Sequence, residues 1–209
     1  MRVTLDKVGK KFLKHWIFRD LDLTFEQGHC YGISGPNGSG KSTVIQILSG
    51  SLSPSSGNVK YTGNGNNIHV GDVFKQVSMA APYLELVEEF TLNELMKFHF
   101  KLKPPVKGVG IDEVPAMLLL EDQLQKQIQH FSSGMKQRLM VGLAILTKSN
   151  LLLLDEPTAN LDATGIEWFN ALLTRHLSDR LVVVASNQTH DFVHCKEVLN
   201  MHDLKTNPS

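Results

Sequence analysis

The residues with the clearest chemical potential are Gly35-Pro36-Asn37-Gly38-Ser39-Gly40-Lys41-Ser42-Thr43. They fit G-x-x-x-x-G-K-[ST] in full. Glycines at these positions let the backbone curl until successive N–H groups point at phosphate oxygens. A helix that starts at Lys41 adds partial positive charge at its N-terminus. Lys41 supplies a mobile point charge for β- and γ-phosphates, and Ser42 offers a hydroxyl to Mg²⁺. A second cluster, Leu151-Leu152-Leu153-Leu154-Asp155-Glu156, ends an apolar run in two carboxylates. Asp155 is placed to hold Mg²⁺ through water. Glu156 is placed to polarise an attacking water as general base. Together the two clusters describe hydrolysis of a nucleoside triphosphate.

The elements around these residues must hold them at strand ends. Val3–Leu5 and Leu21–Phe25 alternate apolar and polar residues, as half-buried strands do. Glu26-Gln27-Gly28 is a turn, and Cys30–Ile33 is a strand that runs into the glycine-rich loop. Lys41–Gly50 reads as a helix closed by Gly50. Asn58–Tyr61 and Val77–Ala81 read as strands, with a turn at Gly63-Asn64-Gly65 between them. The stretch from about Phe90 to Leu146 is helical. Thr91 and Glu94 form a capping box for a first helix, which Pro104-Pro105 ends. A second helix is expected over about Ile111–Leu124 and a third from near Ser133, with Leu139, Leu143 and Leu146 on one face. Leu151–Leu154 and Leu181–Ala185 are continuous apolar runs, as in strands buried on both faces. Gly165–Leu177 is helical, and Lys205–Ser209 is a polar, frayed tail. Strand–helix alternation interrupted by helices predicts a parallel α/β core with an inserted helical subdomain.

Composition narrows the classes. The chain has 209 residues, roughly 1.4 average domain lengths, which fits one α/β unit with a subdomain. Lys plus Arg number 21 and Asp plus Glu 21, so no bulk positive charge favours nucleic acid. Zero net charge gives little self-repulsion and suits a chain held by a partner. A 42% hydrophobic content excludes disorder. The longest run of apolar residues and glycine, Leu139–Leu146, is far short of the ~20 residues of a membrane span. Met1–Lys14 is charged and has no apolar leader core. Cys30 and Cys195 lack metal-ligand spacing and read as two reduced thiols. His15, His29, His69 and His99 show no ligand spacing either. Lys97, Lys101, Lys103 and Lys107 form a solvated basic stripe.

With these motifs in view, the sequence resembles the ATP-binding cassette (ABC) ATPase family, from the first strand to about Leu199. Besides the phosphate loop, Asp155-Glu156-Pro157-Thr158 and Asn160-Leu161-Asp162 look like the family's metal-binding strand and D-loop. Ser132-Ser133-Gly134-Met135-Lys136-Gln137-Arg138 resembles its signature motif at the start of a helix. The resemblance implies one nucleotide-binding domain over 1–209. Residues 1–82 and 151–209 would form a P-loop NTPase core with a mixed or parallel sheet and an N-terminal antiparallel β portion. About 83–150 would form the helical subdomain. It implies ATP and Mg²⁺ as cofactors, with Ser42 and Asp155 toward the metal.

It further implies two cassettes around two ATPs. Ser132, Ser133, Gly134 and Met135 of one chain would meet the γ-phosphate held by the other, through the anion site that opens a helix. Asp162 would sit in the D-loop. Phe12 would stack on adenine, with Trp16 as the alternative.

Three departures stand out. Pro82 stands where the family carries Gln after the strand Val77–Ala81, and it has no side-chain donor or acceptor. Tyr83 or Glu85 are candidates to replace it, whereas Gln76 precedes the strand. Asn187 stands at the family's switch histidine; it can hydrogen-bond a phosphate but cannot take a proton, and His190 is the alternative. Ser133 and Met135 differ from the usual signature residues.

The implied activity is an ATP-hydrolysing subunit of an exporter-type ABC transporter, peripheral on the cytoplasmic face of the cell membrane. The implied partners are a second cassette and integral-membrane subunits contacted through Tyr83–Phe90 and the helical zone, with no nucleic acid. Two alternatives stay open: a hydrolysis-impaired ATP clamp or regulator, and a soluble non-transport ABC ATPase.

Overall fold

Alternation in the first segment builds the first sheet. In the computed structural model, which describes residues 1–177 and 179–206, β1 (Arg2–Phe12) and β2 (His15–Glu26) pair antiparallel with Val3 opposite Phe25. Val3, Leu5, Leu21 and Phe25 turn inward and are buried, and Arg2 pairs with Glu26 at the exposed end. β4 (Ser56–Gly63) lines the other edge of β1. The turn expected around Gly63-Asn64-Gly65 is present, but it closes a hairpin onto β5 (Asn66–Ile68), a strand absent from the sequence reading. Asn64 (φ 51°) and Gly65 (φ 79°) take the left-handed pair of conformations that such a two-residue hairpin turn requires. The sheet order is β2-β1-β4-β5.

The second sheet is parallel. β3 (Cys30–Ser34), β6 (Val77–Ala80), β7 (Leu151–Asp155), β8 (Leu181–Ser186) and β9 (Glu197–Asn200) line up in the order β6-β7-β8-β3-β9. β7 and β8 are buried at every position, which is why both read as unbroken apolar runs. Their alternate residues face two cores. Leu151, Leu153, Leu181 and Val183 join the first sheet and α1 (Lys41–Leu48). Leu152, Leu154, Val182 and Val184 pack on the helical side with α2 (Leu92–Leu102), α4 (Ser133–Leu146) and α5 (Ala163–His176). The fold is α/β, with an antiparallel sheet, a parallel sheet and flanking helices.

Most caps stand where the residue types place them. Thr91 and Glu94 close a capping box on α2. Ser132 Oγ accepts the Met135 N–H at 3.2 Å, and Asp162 Oδ1 accepts the Gly165 N–H at 2.8 Å. The helix expected over Ile111–Leu124 is not continuous. A 3₁₀ turn at Ile111–Glu113 leads into α3 (Val114–Met117), and a second 3₁₀ turn follows at Glu121–Gln123. The break lies at Leu119, left-handed at φ 56° and exposed. Bending there lets both Leu118 and Leu120 enter the core, where Leu118 fills the notch left by Gly142 of α4. α6 (Met201–Thr206) occupies the start of the expected polar tail; Asn207–Ser209 lie outside the described residues.

Candidate functional site

Three central strands of the parallel sheet end side by side. Ser34 stands opposite Ser186, and Asp155 opposite Ala185. This register delivers the loop after β3, the carboxylates after β7 and the turn after β8 to one edge. That edge is where open parallel sheets bind ligands.

The loop 35–40 joins β3 to α1. Gly40 takes φ 106°, and a side chain there would collide with Ile17 Cγ2 at 2.6 Å, so glycine is required on both counts. No side chain caps α1, so its first N–H groups keep their hydrogen-bonding capacity and partial positive charge for an anion. Asn37 and Gly38 are exposed on the outer curve of the loop, while Ser39 is tucked inside. Lys41 is buried at 5% exposure; its ammonium donates to the carbonyls of Gly35 at 2.9 Å and Pro36 at 3.4 Å. The same ammonium lies 3.1 Å from Glu156 Oε1.

Asp155 is buried, and its two carboxylate oxygens accept no hydrogen bond of ordinary geometry among the described residues. Burial pushes its pKa up, and the nearby Ser42 hydroxyl works against that shift. A buried carboxylate short of donors beside a hydroxyl suits a hard divalent cation that also takes phosphate oxygens and waters. Glu156 follows at φ 48°, a strained conformation for a residue with a Cβ, and its N–H donates to Ala185 O at 2.7 Å. Its Oε2 accepts from Ser186 Oγ at 3.0 Å and from the Asn187 N–H at 3.4 Å. The Asn187 amide donates to Asn37 Oδ1 at 3.3 Å, bridging the carboxylate to the loop.

Lys41, Ser42, Asp155, Glu156 and Asn187 are thus brought together. His190 is turned elsewhere: Nε2 meets Thr158 Oγ1 at 2.9 Å, beside the buried Asp191. Tyr83 approaches the carboxylate side. Burial first, and then the Asp155 charge, pushes its phenol up to about 12. Glu85 instead lines a groove with Leu84 and Leu86.

The aromatic candidates separate by face. Phe12 stands opposite His15, two residues from Ile17, and Ile17 touches Gly40 of the loop. The Phe12 ring is 48% exposed, with Lys10 Nζ 5.2 Å from its centroid. Trp16 points the other way, over Gly9, with the Arg19 guanidinium 4.2 Å from its ring.

Ser132 caps α4, and Ser133, Gly134 and Met135 form its first turn, against the segment that follows β7. Among the described residues no hydrogen bond or ion pair joins them to Gly35–Thr43. A side chain at Gly134 would meet Asn160 O at 3.3 Å, and Asp162 caps α5 directly after that turn. Sequence reasoning gave no role to Gln137, whose amide donates to Pro157 O at 2.8 Å and Glu156 O at 3.3 Å. It also passed over Ser186 and Thr158. Their partners lie 19 to 32 residues away along the chain and carry no local spacing signal.

The family model described as ABC transporter matches residues 18–159, more than half of the chain. An uncharacterized ABC transporter ATP-binding protein of Bacillus subtilis, YybJ, is 30% identical over 196 residues, covering 92% of this chain and 89% of that one. The Nod factor export ATP-binding protein I of Cupriavidus pinatubonensis is 31% identical over 76% of this chain. The spermidine/putrescine import ATP-binding protein PotA of Fusobacterium nucleatum is 31% identical over 77%. The aligned parts span 50% and 43% of those two relatives. A solved ATP-binding subunit of an ABC transporter superposes with a TM-score of 0.80 at 21% identity, over 96% of this chain and 87% of that one.

Proposed function

This chain belongs to the ABC transporter family of ATP-binding, ATP-hydrolysing subunits, and from that premise we propose that it powers an exporter-type transporter by closing on a second cassette over two ATPs. The observation that carries the reading is the convergence of Lys41, Asp155, Glu156 and Asn187 at the ends of three adjacent strands. ATP phosphates would enter the loop and take Lys41 from Glu156. Glu156, freed from the ammonium, accepts a proton from the attacking water. Asn187 orients the γ-phosphate or that water by its amide, and Phe12 stacks on the adenine. Ser42 and Asp155 would hold Mg²⁺, which would supply neutralising charge to the triphosphate.

Ser132, Ser133, Gly134 and Met135 make no hydrogen bond to Gly35–Thr43 among the described residues, and on the two-cassette reading they would serve the γ-phosphate held by the second chain. Two helix N-termini and two loops then enclose each nucleotide. On this reading the whole chain 1–209 is one cassette, with about 83–150 as its helical lobe. Membrane subunits would dock where Leu84, Leu86, Phe74, Leu102 and Met140 line a largely apolar groove of about 470 Å³. Phe74 and Leu102 are strongly exposed there. An exposed apolar groove of this kind favours a protein partner. No helix among the described residues is long and apolar enough to cross a membrane, so the partner would supply the spans and hold this chain at the cytoplasmic face.

The relatives are named for both export and import, so direction needs its own assay. The first test is steady-state ATPase of the purified chain with Mg²⁺, beside Glu156→Gln and Lys41→Ala. Turnover that vanishes in both variants supports hydrolysis at this site; equal rates in wild type and Glu156→Gln reject it. ATP should also drive Glu156→Gln into a dimer by light scattering, and a monomer at saturating ATP rejects the two-cassette arrangement. Co-purified membrane subunits reconstituted in vesicles then give direction. Uptake into inside-out vesicles supports export, and loss from them refutes it.

A further inference from the structure

Cys30 and Cys195 are separated by 165 residues, yet their Sγ atoms lie 3.2 Å apart and both are free thiols. The sheet sets this contact. β9 runs parallel to β3 with Tyr31 opposite Glu197, and the Lys196 N–H donates to Cys30 O at 2.8 Å. The residue entering β9 is therefore held beside the start of β3.

The two thiols are not equivalent. Cys30 is buried; its contact with Cys195 and the loss of solvent push its pKa up, which keeps it a thiol. Cys195 is half-buried and lines a surface cavity of about 230 Å³ together with His29, Arg180, His194 and Lys196. Arg180 turns its guanidinium to the carbonyls of Ile145, Thr147 and His176, which leaves Lys196 and the two histidines as the basic groups that an anionic reagent entering the cavity would meet.

We propose that Cys30 and Cys195 form a redox modification site that takes oxidising equivalents from an anionic low-molecular-weight disulfide and closes to an intrachain disulfide. In the first step Cys195, its proton lost to solvent, attacks one sulfur of the small disulfide. The S–S bond of the reagent breaks and one small thiolate leaves to take up a proton. In the second step Cys30 gives up its proton and its sulfur attacks Cys195 Sγ, expelling the second small thiol. Two protein thiols are oxidised by two electrons and one small disulfide is reduced to two thiols.

The bond would fasten the connection after β8 to the strand that leads into the phosphate loop. Asn187 begins that connection, and Cys195 is its last residue but one. The inference does not depend on the proposed transport role, because its readout is covalent.

The test is incubation of the full chain with oxidised glutathione, followed by intact mass and peptide mapping. Loss of two hydrogens, a Cys30–Cys195 cross-linked peptide and full reversal by dithiothreitol are expected. Cys30→Ser should stop at a glutathione adduct on Cys195. Cys195→Ser should react at least about tenfold more slowly, because only the buried thiol remains. The oxidised chain should melt roughly 5–10 °C higher, since the bond closes a very long loop in the unfolded chain. A lasting glutathione adduct on the wild type, unreacted thiols after prolonged exposure, or unchanged kinetics in Cys195→Ser each overturn the proposal.

Discussion

Lys41 Nζ and Glu156 Oε1 form an ion pair across the mouth of the phosphate loop, 3.1 Å apart, with Lys41 almost fully buried. The cation and the carboxylate therefore hold each other when no phosphate is present. On the proposed reading, an incoming triphosphate would compete with Glu156 for Lys41, and its entry would release Glu156 to act as the base.

Neutralising Glu156 tests this competition. Glu156→Gln should lower turnover by about 10²–10⁴, the usual contribution of a positioned base. It should also tighten ATP binding, because Lys41 loses its internal rival. Turnover and equilibrium nucleotide binding, measured on the same preparation, check both signs; weaker binding in the variant would contradict the competition.

Asn187 and His190 make different demands. Asn187 touches Glu156 and Asn37, while His190 touches Thr158 and neighbours Asp191. Asn187→Ala should therefore lower kcat more than tenfold with little change in stability. His190→Ala should lower Tm by roughly 2–4 °C, as expected if about 1 kcal/mol is lost in a chain of this size, and leave kcat nearly intact. The reverse pattern would move the phosphate contact to His190.

Much of this site could be read along the chain because its parts are local. Gly35 to Thr43 carries its own turn, helix start and charge, and Leu151 to Glu156 carries a buried strand with carboxylates at its end. Thr91 and Glu94 announced a helix start by residue type, and the capping box forms where expected. What stayed hidden depends on distant strands meeting. Ser186 reaches Glu156 only because β7 and β8 are neighbours, and Cys30 reaches Cys195 only because β9 pairs with β3. Ile111–Leu124 misled for another reason. Its apolar spacing suits one long helix, but a bend at Leu119 buries Leu118 and Leu120 together, which a straight helix does not allow.

Phe12 and Trp16 separate in the same way. Phe12 is exposed on the face shared with Ile17 and the loop, while Trp16 is covered by Arg19. Base–aromatic stacking is worth about 1–3 kcal/mol, so Phe12→Ala should weaken ATP binding about tenfold with little loss of stability. Trp16→Ala should lower Tm and leave the Kd for ATP nearly unchanged. Calorimetric titration with ATP and thermal melts of both variants decide between them.

Asp155 yields a prediction whose sign follows from its burial. Its carboxyl pKa is raised in the folded chain, chiefly by desolvation, so the folded state binds the proton more tightly than the unfolded one. That preference stabilises the fold fully below the unfolded pKa, and it is lost as pH rises through the folded value. Asp191 is shifted in the same direction by burial. Without nucleotide or metal, stability should therefore fall as pH climbs out of the ordinary carboxylate range toward neutrality. Asp155→Asn removes the buried charge and should raise the neutral-pH Tm of the nucleotide-free chain by about 2–4 °C for each kcal/mol recovered. Mg²⁺ with ATP should raise the wild-type Tm and largely spare the variant, because a neutral amide is a poor ligand for a hard cation. Melting curves across pH, with and without Mg²⁺–ATP, check all three outcomes. A variant that melts lower than wild type at neutral pH would mean that Asp155 is satisfied by the protein alone and is not held in reserve for a cation.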